Sequence, residues 1–102
     1  MEYKPGTRWK SAVSDTEVVI VSGPSTDITL QCGGHEMVAL ADETPSGLTM
    51  DPASAEPTLI GKRYVHESSG LEVLCTKGGA GTLSVNAEPL AIKGAKPLPS
   101  SD

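Results

Sequence analysis

Phenylalanine is absent from this 102-residue chain, and Trp and Tyr bring aromatics to only 3% of residues. Val, Leu, Ile and Met must therefore fill the core. A chain of this length buries only about 60–65% of its unfolded surface, so an enclosed ligand cavity has little room beside that core. Basic residues are also scarce: eight Lys plus Arg stand against thirteen Asp plus Glu, for a net charge of -5. Nucleic acid is disfavoured as a partner, because neutralising phosphates takes clustered cations. No apolar run approaches the roughly 20 residues of a membrane-crossing helix, and the N-terminus MEYKPGTRWK lacks the apolar stretch of a secretory signal. The expectation is one cytoplasmic domain with no membrane partner, in which Cys32 and Cys75 are reduced thiols and not a disulfide.

What the chain does contain is an internal echo. The stretch GTRWKSAVSDTEVVIVSG at 6–23 returns without a gap, fifty-five positions on, as GKRYVHESSGLEVLCTKG at 61–78. Six positions are identical: Gly6/Gly61, Arg8/Arg63, Ser14/Ser69, Glu17/Glu72, Val18/Val73 and Gly23/Gly78. Trp9 is answered by Tyr64, Val19 by Leu74 and, on the same spacing, Ile28 by Leu83. A repeat of this kind sets the architecture before any single element does.

Each copy reads as three strands. Thr7 to Ala12 alternates Arg8 and Lys10 with Trp9, the period of a strand buried on one face. Thr16 to Val21, TEVVIV, is a β-branched run suited to a strand covered on both faces. Ile28 to Cys32 alternates again and stops at Gly33-Gly34, residues able to reach positive φ, before a short apolar piece from Met37 to Leu40. The second copy supplies Lys62 to Glu67, Leu71 to Thr76 and Thr82 to Asn86, ending at Glu88 to Ile92. Between the copies, residues 41–58 carry three prolines and four acids with no base, which predicts a long connection with one short helical turn at Asp51-Pro52. Residues 1–6 read as an arm and 94–102, GAKPLPSSD, as an extended tail. The predicted fold is all-β: two tandem three-stranded modules, about 6–40 and 59–93, in one small pseudo-symmetric sandwich or barrel-like domain. Its predicted core is Trp9, Val18, Ile20, Ile28, Leu30, Met37, Tyr64, Val73, Cys75, Leu83, Val85 and Leu90, with the two central strands near the pseudo-axis.

Trp9 and Tyr64, the strands that begin at Glu17 and Glu72, and TLQCGGHEM at 29–37 give each copy a pattern. In it the chain resembles the desulforedoxin-like module, a small rubredoxin-related β unit. The resemblance spans roughly 30 residues per copy and implies an aromatic, a Cys-x-x-Cys pair, a Val-rich strand, a Gly-rich turn and a strand ending in a second Cys pair. It also implies a tetrahedral iron held by four thiolates. Here Ser11 and Ser14, or His66 and Ser69, stand at the first pair; Cys32 alone remains of the second pair in copy one, and Asn86-Ala87 takes its place in copy two. One thiolate does not replace four. The resemblance thus implies a scaffold that has lost its metal twice.

Other candidate sites are set against plainer readings. Cys32 lies within four residues of His35 and Gly33-Gly34, as a nucleophile with a base would, although a buried free Cys more often acts as a small hydrophobe. Cys32, His35, His66 and Cys75 form a possible two-Cys two-His metal set, but their spacing is no zinc pattern, and Cys75 matches the core position Ile20. Arg8/Arg63 with Glu17/Glu72 suit cross-strand ion pairs better than an anion site. Gly78-Gly79-Ala80-Gly81 is a hairpin turn and not a phosphate loop, since no Gly-Lys-Ser/Thr follows. No Ser-His-Asp order can be placed. The function expected is that of a small non-catalytic accessory protein without cofactor, which binds a protein partner or forms a homodimer. The alternative is a metal or redox protein using Cys32, His35, His66 and Cys75.

Overall fold

The computed structural model describes residues 3–45 and 47–93. The chain is all-β, and the described residues form two antiparallel sheets and a single 3-10 turn at Pro52–Ser54. The first half supplies β1 (Arg8–Lys10), β2 (Glu17–Ser22), β3 (Leu30–Cys32), β4 (His35–Glu36) and β5 (Val38–Ala39). The second supplies β6 (Arg63–His66), β7 (Leu71–Lys77), β8 (Leu83–Val85), β9 (Glu88–Pro89) and β10 (Ala91–Ile92). Three of these in each half are the predicted strands, and each half adds two strands of two residues. The tail at 94–102 lies outside the described residues. Among those described, no helix is long and apolar enough to cross a membrane.

Sheet order shows how the halves meet. The six-stranded sheet runs β10-β6-β7-β2-β1-β5 and the four-stranded sheet β4-β3-β8-β9, so each order reads the same from both ends once the halves are exchanged. The central strands pair with each other: Val18 faces Cys75, Val19 faces Leu74 and Ile20 faces Val73. Val19 and Leu74 are repeat equivalents facing one another, which puts the pseudo-two-fold axis between them. In the other sheet Gln31 faces Ser84 on that axis, flanked by Leu30 opposite Val85 and Cys32 opposite Leu83.

The loops repeat their hydrogen bonds as well. The Gly6 amide donates to Ile20 O at 2.8 Å and that of Gly61 to Cys75 O at 2.9 Å; Met37 N donates to Leu30 O and Leu90 N to Leu83 O, each at 2.9 Å.

The third strand corrects the ungapped spacing. Leu30, not Ile28, is the counterpart of Leu83, and Val85, not Asn86-Ala87, is the counterpart of Cys32. The turn after Gly78 is two residues shorter than the one after Gly23. Because strand side chains alternate with period 2, a slip of two leaves every residue on its own face. The predicted core therefore survives the slip. Gly33 and Gly34, at φ 67° and 87°, are matched by Asn86 and Ala87 at 49° and 71°, the left-handed pair that a two-residue hairpin needs.

The core lies between the sheets. Trp9, Val18, Ile20, Leu30, Met37, Tyr64, Val73, Cys75, Leu83 and Val85 are buried as expected, while Ile28 and Leu90 are partly buried against them. Leu71, Cys32 and Tyr3 join them. From Tyr3 onward the N-terminal stretch is thus not a loose arm, because the Tyr3 ring packs at a tilt against Trp9 with centroids 4.7 Å apart. The run TEVVIV is covered on one face only: Val18 and Ile20 are buried, Val21 is exposed. The helical turn is where the sequence places it, with Asp51 Oδ1 accepting the Ala53 amide at 3.0 Å and Pro52 opening the turn.

Candidate functional site

The first half builds a polar pocket inside the core. The Ser11 hydroxyl accepts the amides of Val13 and Ser14, each at 3.1 Å, and this fixes the turn between β1 and β2. That turn brings Ser11, Thr16 and Ser14 near the Cys32 thiol at the end of β3, and Thr58 approaches it from the connection. Burial pushes the Cys32 thiol up from its ordinary value, and the four hydroxyls pull it back only in part. The thiol thus stays protonated and is not an activated nucleophile. Gly81 closes the pocket: a Cβ there would lie 3.0 Å from the Cys32 sulfur.

Ser11 and Ser14 therefore lie beside Cys32. Their chemistry does not fit the four-thiolate iron that the resemblance implies. One protonated thiol among neutral hydroxyls offers a soft cation a single donor.

The second half departs further. Val85 replaces the thiol and is buried. His66 and Ser69, at the positions of Ser11 and Ser14, bond to each other at 2.8 Å through Nδ1 and Oγ, and His66 Nε2 meets Glu88 Oε1 at 2.7 Å. This Ser-His-Glu chain has the connectivity of a hydrolase relay, and no local spacing announced it because Glu88 is brought in across the sheets. Its serine is not an available nucleophile. Ser69 is buried, and its Oγ already accepts the Leu71 amide at 3.3 Å. The chain fastens the turn between β6 and β7.

The set Cys32, His35, His66 and Cys75 is corrected by the fold. Both thiols are free and buried in the core, on different sheets. Burial also raises the Cys75 thiol, opposed by a hydrogen bond with the Lys77 backbone and reinforced by a further upward push from Cys32. His35 is engaged elsewhere, its Nε2 2.7 Å from Thr49 O, and His66 is held by Ser69 and Glu88. Among the described residues, no group of three or more His, Cys, Asp or Glu side chains is arranged to hold a metal ion. Cys32 and His35 stand opposite each other on β3 and β4, with the thiol buried and His35 Nε2 directed to Thr49 O.

Arg63 and Glu72 form the cross-strand pair at 3.6 Å, and Lys93 joins Glu72 at 2.9 Å. Arg8 and Glu17 form no such pair among the described residues; Glu17 faces Lys10 and Lys77 instead. Arg8 and Arg63 lie on β1 and β6 with two strands between them, so they do not converge on an anion.

A groove of about 410 Å³ lies between the connection and the end of the second half, walled by Pro57, Leu59, Tyr64, Leu83, Leu90 and Ile92. It runs beside β10, an outer strand of the larger sheet. Around it Ile60 is 66% exposed, Leu59 48% and Ile92 37%. Sequence reasoning passed over this surface. The signal available was Leu59-Ile60, an apolar pair ahead of the turn that opens the second copy.

Compared with protein-family models, curated proteins and solved structures, the chain matches none.

Proposed function

We propose that the protein is a small, non-catalytic binding module that acts through protein–protein contacts, with a partner protein or a second copy of itself. It descends by tandem duplication from a metal-binding module and has lost the metal site. The observation that carries the reading is the exposed apolar group Leu59, Ile60 and Ile92 around a groove at an outer strand. A soluble chain gains nothing from such a cluster unless something covers it. An outer strand also offers unpaired N–H and C=O groups that another strand can take up. The opposite outer strand, β5, is less suited, since Val38 and Ala39 are half-buried and its neighbouring hollow is filled from within by Tyr3. Descent from a metal module is supported by the convergence of Ser11, Ser14 and Cys32. We read the compartment as cytoplasmic, in keeping with two unpaired thiols.

Sedimentation combined with co-purification tests the binding. The native chain is expected as a dimer or with a bound partner. Burying an apolar side chain of this size contributes about 1.5–3 kcal/mol, so the double variant Leu59→Glu/Ile60→Glu should weaken association at least about a hundredfold. A native chain that is monomeric and partnerless would count against the reading.

A further inference from the structure

The two halves also differ beside their third strands. In the first half the Tyr3 ring fills the hollow beside Trp9, Leu30 and Met37, is 4% exposed, and accepts the Leu30 amide on its hydroxyl at 3.0 Å. The counterparts are Tyr64, Leu83 and Leu90, and these wall the open groove. Thr58 stands where Tyr3 would be: a Cβ added at Gly23 would lie 2.9 Å from Tyr3 O, and one added at the matching Gly78 would lie 3.1 Å from Thr58 O. Thr58 sends its own hydroxyl to Gly81 O at 2.7 Å and leaves the groove unfilled.

The Leu83 amide is left behind. Gly33 donates to Thr82 O and Asn86 to Thr29 O, each at 3.1 Å, so by the alternation of an antiparallel ladder Cys32 and Leu83 form a non-hydrogen-bonded pair. The Leu83 N–H thus points away from β3, as that of Leu30 does. Among the described residues it has no acceptor, although Leu83 is only 2% exposed. A buried donor of this kind calls for a partner.

We infer that this groove receives a tyrosine side chain from a partner protein, with the ring between Tyr64, Leu83 and Leu90 and the hydroxyl accepting the Leu83 amide. The inference rests on the binding reading above and names what is bound. The tyrosine comes from another protein because the chain's two tyrosines, Tyr3 and Tyr64, are both committed to its own core. Glu56 is the single charged residue on the groove wall and the chain carries a net charge of -5, so the complementary segment has Lys or Arg beside its tyrosine.

The test is an amide-resolved NMR titration of the whole chain with a blocked five-residue peptide bearing a central tyrosine and an adjacent lysine. The same peptide with phenylalanine serves as comparison. The tyrosine peptide should shift the Leu83 amide and slow its exchange, and the phenylalanine peptide should bind about tenfold more weakly, because it leaves that donor unpaired. In a second arm, Thr58→Tyr should fill the groove from within, protect the Leu83 amide as Leu30 is protected, and block the peptide. Equal affinity for both peptides, with β10 shifted and Leu83 unmoved, would overturn the tyrosine assignment while leaving the binding reading standing. A Leu83 amide protected in the free chain and exposed by removal of residues 94–102 would also overturn it, by making the chain's own tail the occupant.

Discussion

Replacing Ser11, Ser14 and Gly33 with cysteine will turn this protein into a tight zinc binder. With Cys32 already in place, the triple variant presents four thiols around the pocket between β1, β2 and β3. Two of the new thiols stand where hydroxyls already lie near the Cys32 sulfur, and the third comes from its chain neighbour. The Gly33 position carries a cost. Its φ of +67° strains a side chain by about 1–3 kcal/mol. An added Cβ there also meets Val13 Cγ2 at 2.8 Å, and Val13 must yield. Structural zinc sites return about 10 kcal/mol or more at neutral pH, so the metal wins and Kd should fall below about 0.1 μM. Cobalt in place of zinc should give the absorption of a tetrahedral thiolate site. A variant that folds yet retains no stoichiometric metal would show that Ser11, Ser14 and Cys32 meet for another reason.

Ile20→Ala will cost the fold about 3–4 kcal/mol, a sizeable part of the stability of a domain this small. Ile20 is 2% exposed and faces Val73 across the junction of β2 with β7, so the cavity opens where the two halves share their core. In a domain of this size that loss lowers Tm by about 12–30 °C. Val21→Ala on the same strand, at a side chain 40% exposed, should cost under about 0.5–1 kcal/mol. Urea unfolding of both variants checks the pair. Equal losses would mean that the junction is not a packed interior.

The junction was legible because its sequence signal is local. The β-branched run in one copy and the apolar run at the same spacing in the other placed the two central strands near the pseudo-axis, and the fold adds that they pair, with Val19 facing Leu74. The register of the third strand was not legible, because three residues in the second turn do the work of five in the first and a one-line comparison has no gap to show it. Tyr3 was missed because an N-terminal stretch with Lys4, Pro5 and Gly6 reads as an arm. A chain with no Phe and only three aromatics has reason to spend each of them on its core, and that scarcity was the available signal. The fastening of His66 by Glu88 was out of reach: the two lie on strands of different sheets, and nothing between them in sequence says those strands will meet. Of the candidate site, the lack of a four-thiolate set could be read from the sequence, which holds two cysteines. The groove could not, since it exists only where the connection passes β8 and β10.

The position of the hydroxyls around Cys32 joins the two themes. A turn that aims two side chains at the end of a neighbouring strand persists in both halves, holding a hydroxyl-ringed thiol in one and a Ser-His-Glu fastening in the other. On the proposed descent, each substitution would exchange charged ligands for neutral or self-paired groups that need no cation to be buried. The fold is held by apolar burial across the shared junction, and the proposed binding surface lies elsewhere, at the outer strand of the second half.

Elemental analysis of protein purified without chelator, followed by melting with and without EDTA, tests the central claim most directly. The account predicts no stoichiometric iron or zinc and a Tm that EDTA leaves unchanged. Stoichiometric metal, or a Tm that EDTA lowers, would contradict it.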